Sequence, residues 1–230
     1  MTALVMHVKK KAQENAWEIL FYALSWTYFR ASFLVDQQTT KDSRRDLIKK
    51  LNWQYFTVAP VVAALIGFLT WVVSHNDPTL INGFLKTVLT IAGVYAFFRV
   101  NEVFLAFVRD ARSHLKPIKH KSSLKYHERI PLAMRSYVEL IILYGIIYFS
   151  LNMICSSLLC GGKPCSVCIW NAIYFSGVTI TTLGYGDIAP GDIGSQFFTI
   201  YEVINGFSLL IVSFTVYVSR SIAANEYINP

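Results

Sequence analysis

Long uncharged runs separated by short charged clusters set the pattern of this chain. A helix crossing a bilayer core of about 30 Å needs roughly 20 apolar residues. Residues 56–73 carry no charge, residues 140–159 carry none, and residues 194–219 carry only Glu202. A further run, 83–108, is long enough but contains Lys86, Arg99 and Glu102. Arg99 and Glu102 stand three apart, on one face of a helix, where each can neutralise the other. The pattern therefore predicts four crossing helices. Residues 17–35 are aromatic but include Glu18, Ser25, Arg30 and Ser32, with basic clusters on both flanks. Such a segment is expected to lie in the membrane interface as a helix rather than to cross.

Charge then orients the spans. Residues 1–55 hold nine Lys or Arg and residues 109–135 hold eight, whereas 74–82 hold none and 160–193 only Lys163. By the positive-inside rule, the two rich segments face the cytoplasm and both termini are cytoplasmic. The expected location is the cell membrane, crossed several times. No cleavable signal peptide is apparent, since the first apolar run comes late and lacks a small-residue cleavage site. Composition agrees: 54% of the 230 residues are hydrophobic, 15% are charged, and the mean hydropathy is +0.42. Soluble domains carry roughly 25% charged residues. Disorder, collagen-like repeats and a small disulfide scaffold are excluded. The net charge of +7 could suggest nucleic acid, but its segmentation suits a lipid surface, and no nucleic-acid partner is expected.

Between the third and fourth spans lies a helix of half-membrane length, Ile169–Ile180, followed by Thr182-Leu183-Gly184-Tyr185-Gly186-Asp187. Twelve residues rise about 18 Å, too little to cross. The hexapeptide resembles the selectivity-filter signature of potassium channels, commonly TVGYGD, in which backbone carbonyls replace the hydration shell of a K⁺ ion. Carbonyls can share one axis only if successive residues adopt unusual dihedrals, and Gly184 and Gly186 permit positive φ without a Cβ penalty. On this resemblance, Thr182, Leu183, Gly184 and Tyr185 supply the ion-binding oxygens. Leu183 and Tyr185 turn their side chains into surrounding protein, and Gly186 and Asp187 shape the outer mouth. The C-terminal end of the short helix, aimed at the membrane centre, favours a cation. The resemblance implies an all-α membrane protein: a potassium-channel pore module of outer helix, pore helix, filter and inner helix, preceded by two transmembrane helices. It implies a homotetramer conducting K⁺ passively, with no cofactor. The expected divisions are 1–55 (cytoplasmic or interfacial), 56–108 (two upstream helices), 109–135 (basic cytoplasmic linker), 136–221 (pore) and 222–230 (cytoplasmic tail).

Other positions support or depart from that family pattern. Tyr174 and Phe175 stand where two Trp are common, an aromatic cuff in which Phe175 cannot donate to Asp187. Val178 stands where some members carry a Glu, and Leu183 replaces the usual Val. Glu202, an acid within a span, is expected to hydrogen-bond the back of the pore helix. Gly206 matches the hinge glycine of many inner helices, a place that close small-residue packing would fill equally well. Phe207, Leu210, Phe214 and Val218 recur at helical spacing and would face a cavity or lipid. Cys155, Cys160, Cys165 and Cys168 fall within fourteen residues; an extracytoplasmic position favours disulfides over zinc, with the pairing open. The run 83–108 lacks the repeated Arg or Lys of a voltage sensor. The tail is too short for a regulatory domain, and no nucleotide-binding loop, zinc-enzyme motif or GxSxG occurs, so no enzymatic activity is expected. A transporter with four pore repeats is rejected because the filter occurs once. A nonselective cation channel and a non-conducting scaffold or auxiliary subunit are the alternatives.

Overall fold

The computed structural model describes residues 25–38, 40–75, 79–115, 126–154, 159 and 167–213. They form α1 (Trp26–Asp36), α2 (Lys41–His75), α3 (Thr79–Leu115), α4 (Tyr126–Ile154), α5 (Ile169–Ile180) and α6 (Ile193–Phe207), which passes into a π-helical turn at Ser208–Ser213. No β-strand occurs among the described residues, and the fold is that of an all-α membrane protein. Three helices contain segments long and apolar enough to cross a bilayer: Lys41–Val73, Gly83–Asp110 and Glu128–Ile154. The expected fourth span is seen as far as Ser213, and 214–219 lie outside the described residues.

Helices overrun the apolar runs that predicted them. α2 begins at Lys41, within the region expected to precede the first span. α3 continues to Leu115 and α4 starts at Tyr126, so the expected linker 109–135 is helical at both ends. Hydropathy marks where lipid lies, but charged residues such as Lys, Arg and Glu are good helix formers and carry the helix past that boundary. The basic ends of the helices are tied together. Lys49 Nζ lies 2.6 Å from Glu128 Oε1, Asn52 donates to Ser136 at 2.9 Å, and Arg129 pairs with Asp110.

α1 covers the described part of the segment 17–35 expected at the interface, and 17–24 lie outside the described residues. Its eleven residues rise about 16 Å, half of a bilayer core. Ser25 caps it by accepting from the Tyr28 amide, and the same hydroxyl donates to the Phe98 carbonyl of α3 at 2.8 Å. Tyr28 and Phe29 are buried, and Arg109 of α3 donates to the Tyr28 hydroxyl at 2.6 Å. α1 therefore rides on the basic half of α3.

The core is built around α4, whose Leu140, Leu143, Tyr144, Ile146, Ile147 and Tyr148 are buried against α2, α3 and α5. At its basic side sits a charged cluster. Arg99 contacts Glu102 at 2.7 Å, as the three-residue spacing predicts, but also Glu139 of α4, through Nε at 2.7 Å and Nη2 at 3.2 Å. The Tyr55 ring of α2 lies 3.8 Å from the guanidinium carbon. All three charged side chains are buried. Removing Arg99 leaves two carboxylates buried without their cation, at a cost of about 3–5 kcal/mol, whereas apolar or neutral replacement of a whole group is far better tolerated. Arg99→Met should therefore lower the thermal unfolding midpoint of the detergent-purified protein more than the triple change Arg99→Met, Glu102→Gln, Glu139→Gln. Equal or greater loss in the triple variant would contradict this account.

Candidate functional site

The non-helical segment between α5 and α6 carries the candidate chemistry, and α5 holds its lower end. The Thr182 amide donates to Thr179 O at 2.9 Å, and the Leu183 and Gly184 amides donate to Val178 O at 3.0 and 3.4 Å. The Thr181 hydroxyl bonds Gly177 O at 2.5 Å, and Tyr137 of α4 donates to Ile180 O at 3.3 Å. The orphan carbonyls that end any helix are thus consumed by the chain that follows. Val178 supports the segment through its carbonyl.

The sign of φ alternates along this segment. It is positive at Thr182 (60°), Gly184 (56°) and Gly186 (78°), and not at Leu183 or Tyr185. Alternation of hand lets successive carbonyls turn to one side, the geometry a carbonyl-lined ion path requires. Positive φ at the two glycines follows from their lack of Cβ. At Thr182 it is a true outlier for a β-branched residue, costing about 1–3 kcal/mol, and such strain persists only where surroundings over-determine it. The amide bonds just described do so. A Cβ at Gly184 or Gly186 would meet no atom within 4 Å, so the penalty there is dihedral and not steric on this chain.

Leu183 and Tyr185 were expected to turn into surrounding protein. Their own chain provides none: they are 60% and 67% exposed. The expected aromatic cuff is also divided. Tyr174 is exposed, with Asp187 near its hydroxyl. Phe175 is buried instead against Tyr148 of α4, edge to face at 4.9 Å. Adjacent helical positions diverge by about 100°, and the two rings here take different surroundings.

Behind α5, Glu202 of α6 is fully buried. It accepts from Ser176 of α5 at 2.5 Å and from Tyr148 of α4 at 2.7 Å, joining three helices at one carboxylate. Two close approaches flank it, one to backbone and one to a side chain. A Cβ on Gly145 of α4 would lie 2.8 Å from the Ile173 Cα, and one on Gly206 would collide with Ile180. Gly206 is thus where α6 closes on the end of α5. The π-helical turn begins two residues later, so the helical spacing assumed for Phe207, Leu210, Phe214 and Val218 breaks at Ser208. Phe207 is exposed and Leu210 half-buried; Phe214 and Val218 lie outside the described residues. At its other end, α6 opens with a capping box between Asp192 and Ser195. The Ser195 hydroxyl, with the Ser195 and Gly194 amides, holds the Asp192 carboxyl below the usual carboxylate range. Cys168 precedes α5 with an exposed free thiol; Cys155, Cys160 and Cys165 lie outside the described residues.

Ser176, Tyr148, Tyr137 and Asn205 were not anticipated from sequence. For Ser176, Tyr148 and Asn205 the signal was weak but present: each is a polar side chain inside a run otherwise apolar, where a buried partner is required; Tyr137, beside Ser136 and Glu139, carried none.

Residues 136–222 match a protein-family model described as ion channel. The match covers α4 from Ser136 onward, α5, the segment between α5 and α6, and α6. No curated protein and no solved structure matches the chain.

The two glycine environments make opposite predictions. Gly145→Ala drives a methyl into the Ile173 backbone and should destabilise by about 1–3 kcal/mol. Gly177→Ala on α5 meets only Ile141 Cγ2, at 3.6 Å, and should be neutral or stabilise by up to about 1 kcal/mol through helix propensity. Thermal unfolding of the purified variants separates them, and a destabilised Gly177→Ala beside an unchanged Gly145→Ala would refute the helix crossing.

Proposed function

We propose that four copies of this chain form a potassium-selective channel that conducts K⁺ passively across the cell membrane, with both termini in the cytoplasm. The observation that carries the reading is the TLGYGD segment itself. Its φ alternates in sign, its first amides are bonded backward onto α5, and it lies exposed on its own chain. Thr182, Leu183, Gly184 and Tyr185 would offer carbonyls to the ion, with Gly186 and Asp187 at the outer mouth and Tyr174 near Asp187. The similarity of residues 136–222 to ion channels supports the class.

One segment presents oxygens to one side of an ion. The remaining sides need equal partners, since leaving an ion partly desolvated costs several kcal/mol or more. Rotational symmetry supplies them without new sequence, and four copies match the ring of four described for such filters. The exposed apolar face of α6 supports this assembly: Ile193, Phe197, Ile200, Ile204 and Phe207 are all uncovered on the single chain.

Purified protein in planar bilayers should reverse near the K⁺ equilibrium potential under a K⁺ gradient with Na⁺ present. Reversal that tracks Na⁺ would mean a nonselective pore, and absence of any current would favour a scaffold. Gly184→Ala should abolish selective conduction, because the added Cβ disfavours the positive φ at that residue.

Mass measurement of the detergent-purified protein should give a tetramer of the 26.1 kDa chain. A monomer or dimer that still passes K⁺ would defeat the symmetry argument.

A further inference from the structure

α3 lies against the outer helix of the candidate pore and the π-helical end of its inner helix, and grips each differently. Arg99 reaches α4, where Glu139 takes it through two nitrogens. Two residues on, Asn101 points elsewhere. Its Nδ2 donates to Phe97 O at 2.8 Å, which fixes the amide's orientation, and its Oδ1 accepts from the Tyr201 hydroxyl of α6 at 2.7 Å. Phe97 adds an edge-to-face contact with Phe198 at 6.1 Å. The hold on α4 is ionic, doubled and buried. The polar hold on α6 is one neutral hydrogen bond, the weaker kind of link.

Tyr201 stands at a junction within α6. Its carbonyl accepts from Asn205 Nδ2 at 2.7 Å, and the same amide donates to Tyr144 of α4 at 2.9 Å. The next residue, Glu202, holds Ser176 behind the TLGYGD segment. One turn further, Gly206 meets Ile180 and the α-helix gives way to the π-helical turn, which also packs on α3. π-helical turns are concentrated at functional sites. α1, hung from the Phe98 carbonyl, is attached to α3 within one turn of Asn101.

We propose that the Asn101–Tyr201 hydrogen bond is the joint through which the upstream helices α1–α3 bias the inner helix between conducting and closed states, with Tyr201 a positioning residue for gating and not for ion selection. The inference rests on the channel reading above. Up to Gly206, α6 is held to α4 and α5 through Glu202 and Asn205, and the π-helical turn beyond it packs on α3. Whatever displaces α3 then acts on α6 at Tyr201, next to the residue that braces α5.

The test is single-channel recording of the full-length protein in planar bilayers, comparing wild type, Tyr201→Phe, Asn101→Leu and the double variant. Losing one such bond should change the open-to-closed ratio by about 2- to 10-fold. Both single variants should shift it in the same direction. The double variant, which leaves no polar group unpaired, should shift it no further than either single one. Unitary conductance and K⁺ over Na⁺ preference should stay at wild-type values, which a merely destabilised pore would not preserve. Unchanged open probability in Tyr201→Phe, or additive shifts in the double variant, would overturn the joint while leaving the channel reading intact. Altered ion preference in Tyr201→Phe would instead put Tyr201 in the selectivity machinery and overturn its assigned role. A wild-type protein that passes no K⁺ would overturn the channel reading and this inference together. Tyr201→Phe removes one oxygen atom and keeps the ring, so its folding, checked by thermal midpoint, is expected to be retained.

Discussion

Backbone that leaves the helix at membrane depth must find partners for its amides within the protein, because lipid offers none. In this chain the carbonyls of Val178 and Thr179 meet that need for the first three residues of the TLGYGD segment. Much else in the candidate pore follows from it. If α5 shifted, those amides would lose their acceptors and the strained φ at Thr182 would relax. So α5 is fixed on several sides: by Glu202 on Ser176, by the close crossing of Gly145 and Ile173, by Gly206 on Ile180, and by the Tyr137 hydroxyl on the last carbonyl of the helix. The absence of a side chain at Gly145 and Gly206 is what lets α4 and α6 approach closely enough to do this.

What sequence reveals here depends on whether the cause is local. Positive φ at Gly184 and Gly186 is legible because glycine itself is the cause. The same conformation at Thr182 is not, since a β-branched residue argues against it and the reason lies in hydrogen bonds to the preceding helix. Arg99 and Glu102 are readable as a pair from their spacing. Glu139 is not, being forty residues away from Arg99 and one position outside an uncharged run. Glu202 could be assigned a bond to the short helix because a buried acid needs partners. Which partners, Ser176 and Tyr148, depends on how three helices cross. Helix ends were misplaced for a different reason: lipid, which hydropathy reports, ends before the helices do. The π-helical turn at 208–213 has no residue signature at all.

Two apolar faces remain uncovered on the single chain, and they are not equivalent. Val58, Val61, Leu65, Phe68 and Trp71 form one stripe along α2, with spacings that keep them on one side of a helix. The backbone behind that stripe is helical, with only the N–H that Pro60 lacks missing from the ladder, so hydrocarbon can cover it at little polar cost. The face of α6 from Ile193 to Phe207 looks similar by hydrophobicity alone. Its surroundings differ, because the TLGYGD segment joins it, exposed, with carbonyls committed to no helix. Hydrocarbon against those carbonyls would leave them unsatisfied, at several kcal/mol each. Lipid can therefore border α2 but not the side that carries Leu183 and Tyr185, and only protein or water can complete that side. The chain is thus polarised, with one flank suited to the bilayer and the other needing protein or water against its carbonyls, and α3 and α4 join the two flanks.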